Sequence, residues 1–374
     1  MIYRKEIDGL RALAVIPVIL FHAGFEWVKG GYIGVDIFFV ISGYLITSIL
    51  LQELQDGTFS IRNFYERRAR RILPALFFVL LCCLPFAWLW LLPEELKSFG
   101  QSLIAVVAFV SNILFWQETD YFTASTDLIP LLHTWSLAVE EQFYIVFPLF
   151  LALFWKGGKR ALLLMISFVA LVSLGLTEWG WRYFPDANFY LIPTRAWELM
   201  VGALAAFYLF YKPQVQGLFG DIASFLGLLM ILLALFLLDK TMPFPSLYAL
   251  FPIVGTALII LFATSNTLVG KILSLRIFVG IGLISYSAYL WHQPVFVFAR
   301  AYQMDNLSDL MAIILSAVAL LLGYLSWRYI ERPFRNKKWL TQKQIFVSAL
   351  AFSLLFIMIG VFLVASDGAM YRFI

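Results

Sequence analysis

The sequence predicts an all-α polytopic integral membrane protein, and three observations carry that prediction. Of the 374 residues, 62% are hydrophobic and only 13% are charged, whereas a soluble domain carries about 25% charged residues. The mean hydropathy is +0.87. The apolar residues are grouped in stretches of about 20 residues, which is the length of a membrane-crossing helix. Too few polar residues are present to cover a water-exposed surface, and the net charge of +4 does not indicate a nucleic-acid-binding protein.

Twelve apolar stretches are long enough to be considered as membrane-crossing helices. They lie near 10–26, 33–54, 72–92, 99–117, 136–155, 161–178, 194–211, 218–238, 247–265, 277–300, 306–327 and 344–365. The first stretch is not a cleavable signal peptide, because Arg11 and His22 interrupt it. The two cysteines, Cys82 and Cys83, are adjacent within another stretch, which excludes a disulfide scaffold.

The basic residues orient these helices, because short cytoplasmic loops retain Lys and Arg. A cytoplasmic N-terminus places most of the 27 Lys and Arg residues on the cytoplasmic side, provided that one stretch does not cross. We assign that role to 99–117, as a re-entrant or interfacial helix, because it is interrupted by Gln101, Ser102, Ser111 and Asn112. The alternative is that 72–92, which contains Pro85, does not cross. Both give about 11 transmembrane helices, with the N-terminus cytoplasmic and the C-terminus periplasmic.

Several ionisable side chains fall inside the predicted helices. They are Arg11, His22, Asp36, Glu140, Glu141, Arg195, Glu198 and His292. Each costs several kcal/mol in the hydrocarbon unless it is paired or faces a wet cavity. A helix end or a hydrogen bond between helices explains a single such residue, but this many in one chain indicate a functional site.

Arg11 and His22 form the most informative pair. Eleven residues of α-helix turn through about 1100°, so both side chains share a face, and they are separated by about 16 Å along the helix. With the predicted orientation, Arg11 lies near the cytoplasmic side and His22 in the outer half of the membrane. A cation at one end and a candidate general base at the other suit a long donor with anionic phosphates and a distant reactive carbonyl. An acyl-CoA has that shape.

All three histidines of the chain fall in the outer half, or at the outer edge, of the predicted helices: His22, His133 and His292. Histidine titrates near neutral pH, so it can take the proton of a hydroxyl acceptor. A nearby carboxylate would orient the ring, and Glu140 and Asp36 are the catalytic candidates for that role. A three-histidine zinc site is the alternative. The spacing of the three residues does not support it, and no metal is predicted.

A basic run, Arg67-Arg68-Ala69-Arg70-Arg71, precedes the stretch 72–92. One interpretation is a topology anchor that interacts with anionic lipid headgroups. The other is a phosphate-binding site for the donor, since helical spacing places Arg68 and Arg71 on one face, with Arg67 as a further candidate. Both interpretations can hold together.

Seven motifs follow one another from about Ile7 to Arg335. They are IDGLRALAV, GYIGVDIFFVISGYLI, FYERRARRILPAL, HTWSLAVEEQFY, PTRAWELMVG, SYSAYLWHQPV and YIERPFR. Together they resemble the membrane-bound acyltransferase-3 family, of the type that O-acetylates O-antigen and peptidoglycan. The resemblance implies transfer of an acetyl group from cytoplasmic acetyl-CoA to a hydroxyl of a cell-surface carbohydrate, such as O-antigen, lipopolysaccharide or a related glycan. The reaction would take place at the periplasmic side of the bacterial inner membrane.

The same resemblance implies roles for individual residues. His22 corresponds to the catalytic histidine of the family's R-x10-H arrangement, and Arg11 to its donor-binding or site-organising arginine. Arg68 and Arg71 match the R-x-x-R motif, and Glu140 matches the glutamate of W-S-L-x-x-E. The remaining candidates for substrate binding or for support of the site are His133, Glu141, Arg195, Glu198, His292, Glu331 and Arg335.

The resemblance also divides the chain. Residues 1–335 form the expected transmembrane acyltransferase domain, and 336–374 hold one more helix, 344–365, and a short periplasmic tail. Many relatives continue from such a helix into a periplasmic SGNH hydrolase-like domain, so we expect that domain in the same longer chain or as a separate protein. The other expected partners are membrane lipid, acetyl-CoA and the carbohydrate acceptor. The alternative functions are a multi-span transporter or flippase of a glycan or lipid-linked intermediate, and a non-catalytic membrane scaffold.

Overall fold

The protein is all-α in the residues that the structure, a computed structural model, describes: 3–118, 128–303 and 307–373. The structure is 84% helix and has no strand within these ranges, which confirms the all-α part of the predicted fold class. The α-helices in chain order are α1 (Lys5–His22), α2 (Gly34–Gln55), α3 (Ile61–Trp90), α4 (Pro93–Val107), α5 (Ser111–Glu118), α6 (Thr134–Phe154), α7 (Gly158–Tyr183), α8 (Pro185–Tyr190), α9 (Ile192–Tyr211), α10 (Leu218–Leu237), α11 (Leu250–Phe262), α12 (Leu268–Leu273), α13 (Arg276–Gln303), α14 (Asp309–Ser326), α15 (Arg332–Arg335) and α16 (Gln342–Ala365). A π-helical turn, Trp327–Glu331, joins α14 to α15.

Within the described ranges, 6 helical segments are long and apolar enough to cross a membrane. They are Gly31–Gln55, Ile61–Trp90, Thr134–Tyr183, Leu218–Leu237, Asp309–Arg335 and Gln342–Ala365. Thr134–Tyr183 contains both α6 and α7. The helices α1 and α9 are not among these six segments. Both contain predicted site residues, namely Arg11 in α1 and Arg195 and Glu198 in α9. The larger number of crossings and the orientation of the termini stay predictions.

The stretch 99–117 is broken into α4 and α5. Between these helices Phe109 has a φ of 56°, in the left-handed region that a regular helix does not contain. The 15 residues of α4 rise about 22 Å, less than the roughly 30 Å of hydrocarbon in a bilayer. The stretch 72–92, by contrast, lies largely in α3, which continues for 30 residues through Pro74 and Pro85. Length therefore favours 99–117 as the segment that does not cross.

The chain divides into two compact units, which we describe separately. Unit 1 consists of Met1–Phe21, Phe25–Phe59 and Val139–Ser285. Unit 2 consists of His22–Gly24, Ser60–Ala138 and Tyr286–Ile374.

In unit 1, α2 packs directly on α9 because glycines let the two backbones approach closely. A Cβ atom at Gly43 would lie 1.9 Å from the carbonyl oxygen of Leu199, and one at Gly202 would lie 2.0 Å from that of Val40. Small residues at such contacts are typical of helices that associate in membranes. This contact places the face of α2 that carries Asp36 against the face of α9 that carries Arg195 and Glu198.

In unit 2, α16 packs on α4 through another pair of glycines. A Cβ atom at Gly360 would lie 2.6 Å from the carbonyl oxygen of Gly100. The helix α14 approaches α13 in the same way, since a Cβ atom at Gly323 would lie 2.7 Å from the Cα atom of Ala288. The last helix is thus packed within unit 2, while the predicted domain boundary after residue 335 stays a prediction.

Candidate active site

All three histidines of the chain meet in unit 2. His22 is the last residue of α1, His133 directly precedes α6, and His292 lies in α13. The ring of His292 contacts both of the others, with centroid distances of 5.0 Å to His22 and 5.3 Å to His133. The exposed fractions are 9% for His22, 3% for His133 and 0% for His292. The sequence predicted only a common side of the membrane, and the structure brings the three rings together.

The hydrogen bonding of His292 defines which ring nitrogen carries its proton. The Nδ1 atom contacts the backbone carbonyl oxygen of Tyr289. Because a carbonyl oxygen can only accept, Nδ1 is the donor, and the lone pair of the neutral ring is on Nε2. The Nε2 atom is buried and has no hydrogen-bond partner in the described part of the chain. His292 therefore presents a proton acceptor inside the histidine cluster.

Tyr289 supports the cluster from α13. Its ring lies 5.5 Å from that of His133 and 5.0 Å from that of His292. Its hydroxyl donates to the backbone carbonyl of His133 at 3.0 Å and shares a hydrogen bond with the Oγ atom of Ser136 at 2.7 Å. Sequence reasoning missed Tyr289 and Ser136, although both lie within the motifs SYSAYLWHQPV and HTWSLAVEEQFY.

Arg300 fixes the end of α1 at the cluster. Its Nη2 atom donates to the backbone carbonyl of His22 at 2.6 Å. The last carbonyl groups of a helix lack partners within the helix, and a cation there also offsets the negative end of the helix dipole. This contact holds the backbone of His22 in unit 2, and no residue pattern in the sequence indicates it.

The cluster is not arranged as a metal site. Across the described ranges, no group of three or more His, Cys, Asp or Glu side chains could hold a metal ion. The zinc alternative therefore finds no support in the geometry.

Three other predicted site residues form a buried ion cluster in unit 1. The Nη2 atom of Arg195 lies 3.2 Å from Oδ1 of Asp36, and its Nε atom lies 3.2 Å from Oε1 of Glu198. All three side chains are at most 1% exposed. The guanidinium group is also 5.5 to 5.8 Å from the ring centres of Phe39, Phe189 and Phe244. Asp36 balances the charge of Arg195, and its predicted role beside a histidine stays a prediction.

Glu140 is hydrogen-bonded within unit 1. Its Oε1 atom accepts from the Oγ atom of Ser42 at 2.9 Å, and its Oε2 atom accepts from the hydroxyl of Tyr144 at 3.1 Å. The neighbouring Glu141 is buried. Ser42 lies in the motif GYIGVDIFFVISGYLI, so this contact joins two of the motifs that the sequence singled out. The catalytic role of Glu140 stays a prediction.

Arg11 has an acidic neighbour one turn away on α1. Its Nη1 atom lies 3.7 Å from Oδ1 of Asp8, and the other oxygen of Asp8 accepts from the hydroxyl of Tyr3 at 2.7 Å. Burial and the hydrogen bond to Asp8 raise the pKa of Tyr3 to about 12, so Tyr3 remains a donor at neutral pH. Because α1 is helical from Lys5 to His22, the predicted spacing of Arg11 and His22 along one helix is present.

Within the basic run, Arg70 is structural. It is 3% exposed, pairs with Glu66 at 2.8 Å, and donates to the backbone carbonyls of Leu340 at 2.6 Å and Phe334 at 3.4 Å. These contacts attach the segment before α16 to α3. The guanidinium group of Arg70 is thus engaged in contacts within unit 2, and Arg70 was not among the predicted donor-binding residues.

The other arginines of the run lie closer to the surface. The guanidinium groups of Arg67 and Arg68 are 6.0 Å and 5.9 Å from the ring centre of Phe64, and Arg71 is half-buried. They remain candidates for binding phosphate.

Glu331 ends the π-helical turn and is fully buried. Its Oε2 atom accepts from the Oγ atom of Ser287 at 2.8 Å, and Arg335 forms an ion pair with its Oε1 atom. The hydrogen bond between Ser287 and Glu331 thereby joins the turn after α14 to α13 in unit 2. A role of these two residues in substrate binding stays a prediction.

Comparison with known proteins agrees with the motifs. A family model described as an acyltransferase domain, acyltransferase-3, matches residues 4–328. The peptidoglycan O-acetyltransferase OatA of Listeria monocytogenes is 35% identical over 354 residues, which cover 89% of this chain and 56% of that protein. The O-acetyltransferase OatA of Staphylococcus aureus is 33% identical over 357 residues, which cover 90% of this chain and 58% of that protein.

The chain therefore spans less than two thirds of the length of these relatives. No solved structure matches it. The family match extends over nearly the whole sequence and includes the residues that bring His22, His133 and His292 together. The chain accordingly belongs to the acyltransferase-3 family of membrane proteins, whose matched relatives are named O-acetyltransferases.

Proposed function

We propose that this chain transfers an acetyl group from cytoplasmic acetyl-CoA to a hydroxyl of a cell-surface carbohydrate at the periplasmic side of the bacterial inner membrane. The observation that carries this proposal is the buried histidine cluster of unit 2. Its members are imidazole bases, and the ring of His292, whose Nε2 atom carries a lone pair, has its centroid 5.0 Å from that of His22. Such groups suit the deprotonation of a hydroxyl nucleophile.

In the proposed reaction, His22 takes the proton of the acceptor hydroxyl while the hydroxyl oxygen attacks the thioester carbonyl. The carbon–sulfur bond of acetyl-CoA then breaks, the proton passes to the sulfur, and an acetyl ester remains on the carbohydrate. His292 orients the ring of His22 and supports its protonated form. The bond from His292 Nδ1 to the Tyr289 carbonyl fixes the tautomer that this role needs.

The donor phosphates are assigned to Arg68 and Arg71, with Arg67 beside them, and Arg11 keeps the donor-binding or site-organising role that the motifs imply. Guanidinium groups bind phosphate through two parallel hydrogen bonds. Arg70 is not assigned to the donor, because it is held by Glu66.

Peptidoglycan is the acceptor to test first, because the relative from Listeria monocytogenes is named a peptidoglycan O-acetyltransferase. O-antigen and lipopolysaccharide are the other acceptors that the motifs imply. An SGNH hydrolase-like domain, in a longer chain or as a separate protein, is proposed to act on the periplasmic side.

The test is acetyl transfer by the full chain reconstituted in liposomes that enclose radiolabelled acetyl-CoA, with each acceptor supplied outside. The change His22→Ala should lower the rate by about 10²- to 10⁴-fold, the usual contribution of general acid–base catalysis. Arg68→Gln and Arg71→Gln should raise the KM for acetyl-CoA, because each removes a phosphate contact. Lys156→Gln is the matched control, since Lys156 is exposed and outside the site.

Equal rates for wild type and His22→Ala, at matched amounts of folded protein, would remove His22 from the reaction. Movement of an intact glycan into the vesicles without release of CoA would instead indicate a transporter. The acceptor that gains label identifies the substrate class.

A further inference from the structure

An apolar groove lies between α3 and α16 in unit 2. Its cavity volume is about 200 Å³. Ala69 and Phe77 on α3 face Ala349 and Phe352 on α16, and the rings of Phe77 and Phe352 stack at 5.7 Å. Among the described residues that line the groove, Ser348 is the only one with a polar side chain. The groove therefore suits a hydrocarbon chain.

The length of the groove matches one leaflet of a membrane. Its lining residues on α3 extend from Ala69 to Leu81, which is about 18 Å of helix. One half of the hydrocarbon core of a bilayer is about 15 Å thick. A single acyl chain of a lipid fits this length, whereas a compact polar ligand would leave the groove walls exposed.

One end of the groove is strongly basic on α3. Arg67 and Arg71 each precede a lining residue by seven positions, namely Pro74 and Phe78. Seven residues of helix turn through about 700°, which is within about 20° of two full turns. The two arginines therefore lie on the lining face of α3 by their spacing, with Arg67 beyond Ala69 and Arg71 in the first turn after it.

The segment that leads into α16 adds more positive charge at the same end. It lies between the lining residues Phe334 and Ile345 and contains Arg335, Lys337, Lys338 and Lys343. The acidic residues of the two basic segments are already engaged, since Glu66 pairs with Arg70 and Glu331 with Arg335. Lys337, Lys338 and Lys343, which are exposed, add positive charge beyond these pairs.

An aromatic residue marks the level of the basic end. Trp339 is 60% exposed and packs edge-on against Phe334 at 5.4 Å. Exposed tryptophan next to Lys and Arg is typical of the boundary between hydrocarbon and headgroups. The groove thus begins at the headgroup level and continues into the hydrocarbon.

From these features we propose that unit 2 binds an anionic glycerophospholipid, with one acyl chain in the groove between α3 and α16 and the phosphate at the two basic segments. A zwitterionic lipid would fill the groove but would not balance its basic end. A free anion would bind the basic segments without using the groove. This site shares Arg67 and Arg71 with the proposed donor site, whereas the groove and the lysines before α16 have no part in the proposed acetyl transfer.

The test is lipid retention by the full chain in native mass spectrometry, with phosphatidylglycerol and phosphatidylcholine of identical acyl chains as probes. Phosphatidylglycerol should bind on the order of tenfold more tightly, because several cations contact one anionic headgroup. Ala349→Trp, which fills the groove, should lower the retention of both lipids by a similar factor. Leu350→Trp is the matched control, because Leu350 is the next residue on α16 and is 62% exposed.

A second change separates the headgroup from the acyl chain. Replacing Lys337, Lys338 and Lys343 together by Gln should remove most of the preference for phosphatidylglycerol and leave the retention of phosphatidylcholine unchanged. Ala69→Leu narrows the groove from the α3 side. If Ala349→Trp does not fold, Ala69→Leu should likewise lower the retention of both lipids by a similar factor. Equal retention of the two lipids by wild type, unchanged retention in both groove variants, or displacement of phosphatidylglycerol by inorganic phosphate alone would overturn the proposal.

Discussion

Two buried groups of ionisable side chains in this protein are built on opposite principles. In unit 1, Arg195 lies between the carboxylates of Asp36 and Glu198, so positive and negative charges face each other at 3.2 Å. In unit 2, the rings of His133 and His292 contact each other, and the Nδ1 atom of His292 is hydrogen-bonded to the backbone carbonyl of Tyr289. In the first group, the guanidinium is paired with carboxylates of the same cluster. The second keeps a basic nitrogen without a hydrogen-bond partner in the described part of the chain.

This difference indicates a division of labour. Paired charges in an apolar surrounding are fixed in place, because separating them would leave an uncompensated charge. The contact between Arg195 and Asp36 therefore holds α9 to α2. A neutral imidazole carries no charge that needs a partner before the reaction, and it can take up a proton during the reaction. The histidine cluster therefore suits proton transfer. Three changes test this comparison.

The largest effect should come from Arg195→Met. Removing the guanidinium leaves the carboxylates of Asp36 and Glu198 facing each other in a buried site, and breaking a buried pair in this way costs about 3–5 kcal/mol. The free energy of unfolding in mixed micelles measures the loss. Glu198→Gln is the matched change, because it leaves one carboxylate for one guanidinium, and we expect it to cost much less.

A triple change checks the reason for that loss. Arg195→Met combined with Asp36→Asn and Glu198→Gln removes all three charges, and it should recover much of the stability that Arg195→Met alone loses. If the triple variant is no more stable than Arg195→Met, packing of the arginine against its aromatic neighbours, and not charge balance, is the main contribution.

The sequence predicted which residues carry these groups but not how they are combined. A charge within an apolar stretch is visible in the sequence, so Arg195, Glu198 and His292 could be singled out directly. The contact of Asp36 with Arg195 joins positions 159 residues apart and depends on the packing of α2 on α9. The convergence of three histidines on unit 2 likewise follows from tertiary structure.

Contacts to the backbone were beyond the reach of the sequence for another reason. Arg300 donates to the carbonyl of His22, and every residue has a carbonyl, so no residue pattern marks that acceptor. The break within 99–117, by contrast, could be predicted, because polar residues such as Ser111 interrupt the apolar stretch and are visible in the sequence. Ser111 Oγ donates to the carbonyl of Thr134 at 3.0 Å, so this buried hydroxyl has a hydrogen-bond partner.

The second effect in size should come from His292→Ala. If His292 orients His22, its loss should lower kcat for acetyl transfer by about 10²-fold, at the lower end of general acid–base contributions. The KM for acetyl-CoA should change little, and the free energy of unfolding should change far less than in Arg195→Met. The pH dependence of kcat separates orientation from packing, because a purely structural role would leave the apparent pKa of the profile unchanged. A loss of stability as large as that of Arg195→Met would show that the histidine cluster is also a structural element.

The smallest effect should come from Tyr289→Phe, which removes one hydroxyl and leaves the ring beside His133 and His292. The carbonyl of His133 keeps the Oγ atom of Ser136 as a donor at 3.2 Å, so it is not left unsatisfied. A single hydrogen bond contributes about 1 kcal/mol, which corresponds to roughly fivefold in rate if the bond positions His133 for the reaction. The measurement is kcat for acetyl transfer beside the free energy of unfolding, with Ser136→Ala as the reciprocal change. A loss of a hundredfold or more in kcat would place the hydroxyl of Tyr289 in the reaction itself, and the histidine cluster would then include a second proton-carrying group.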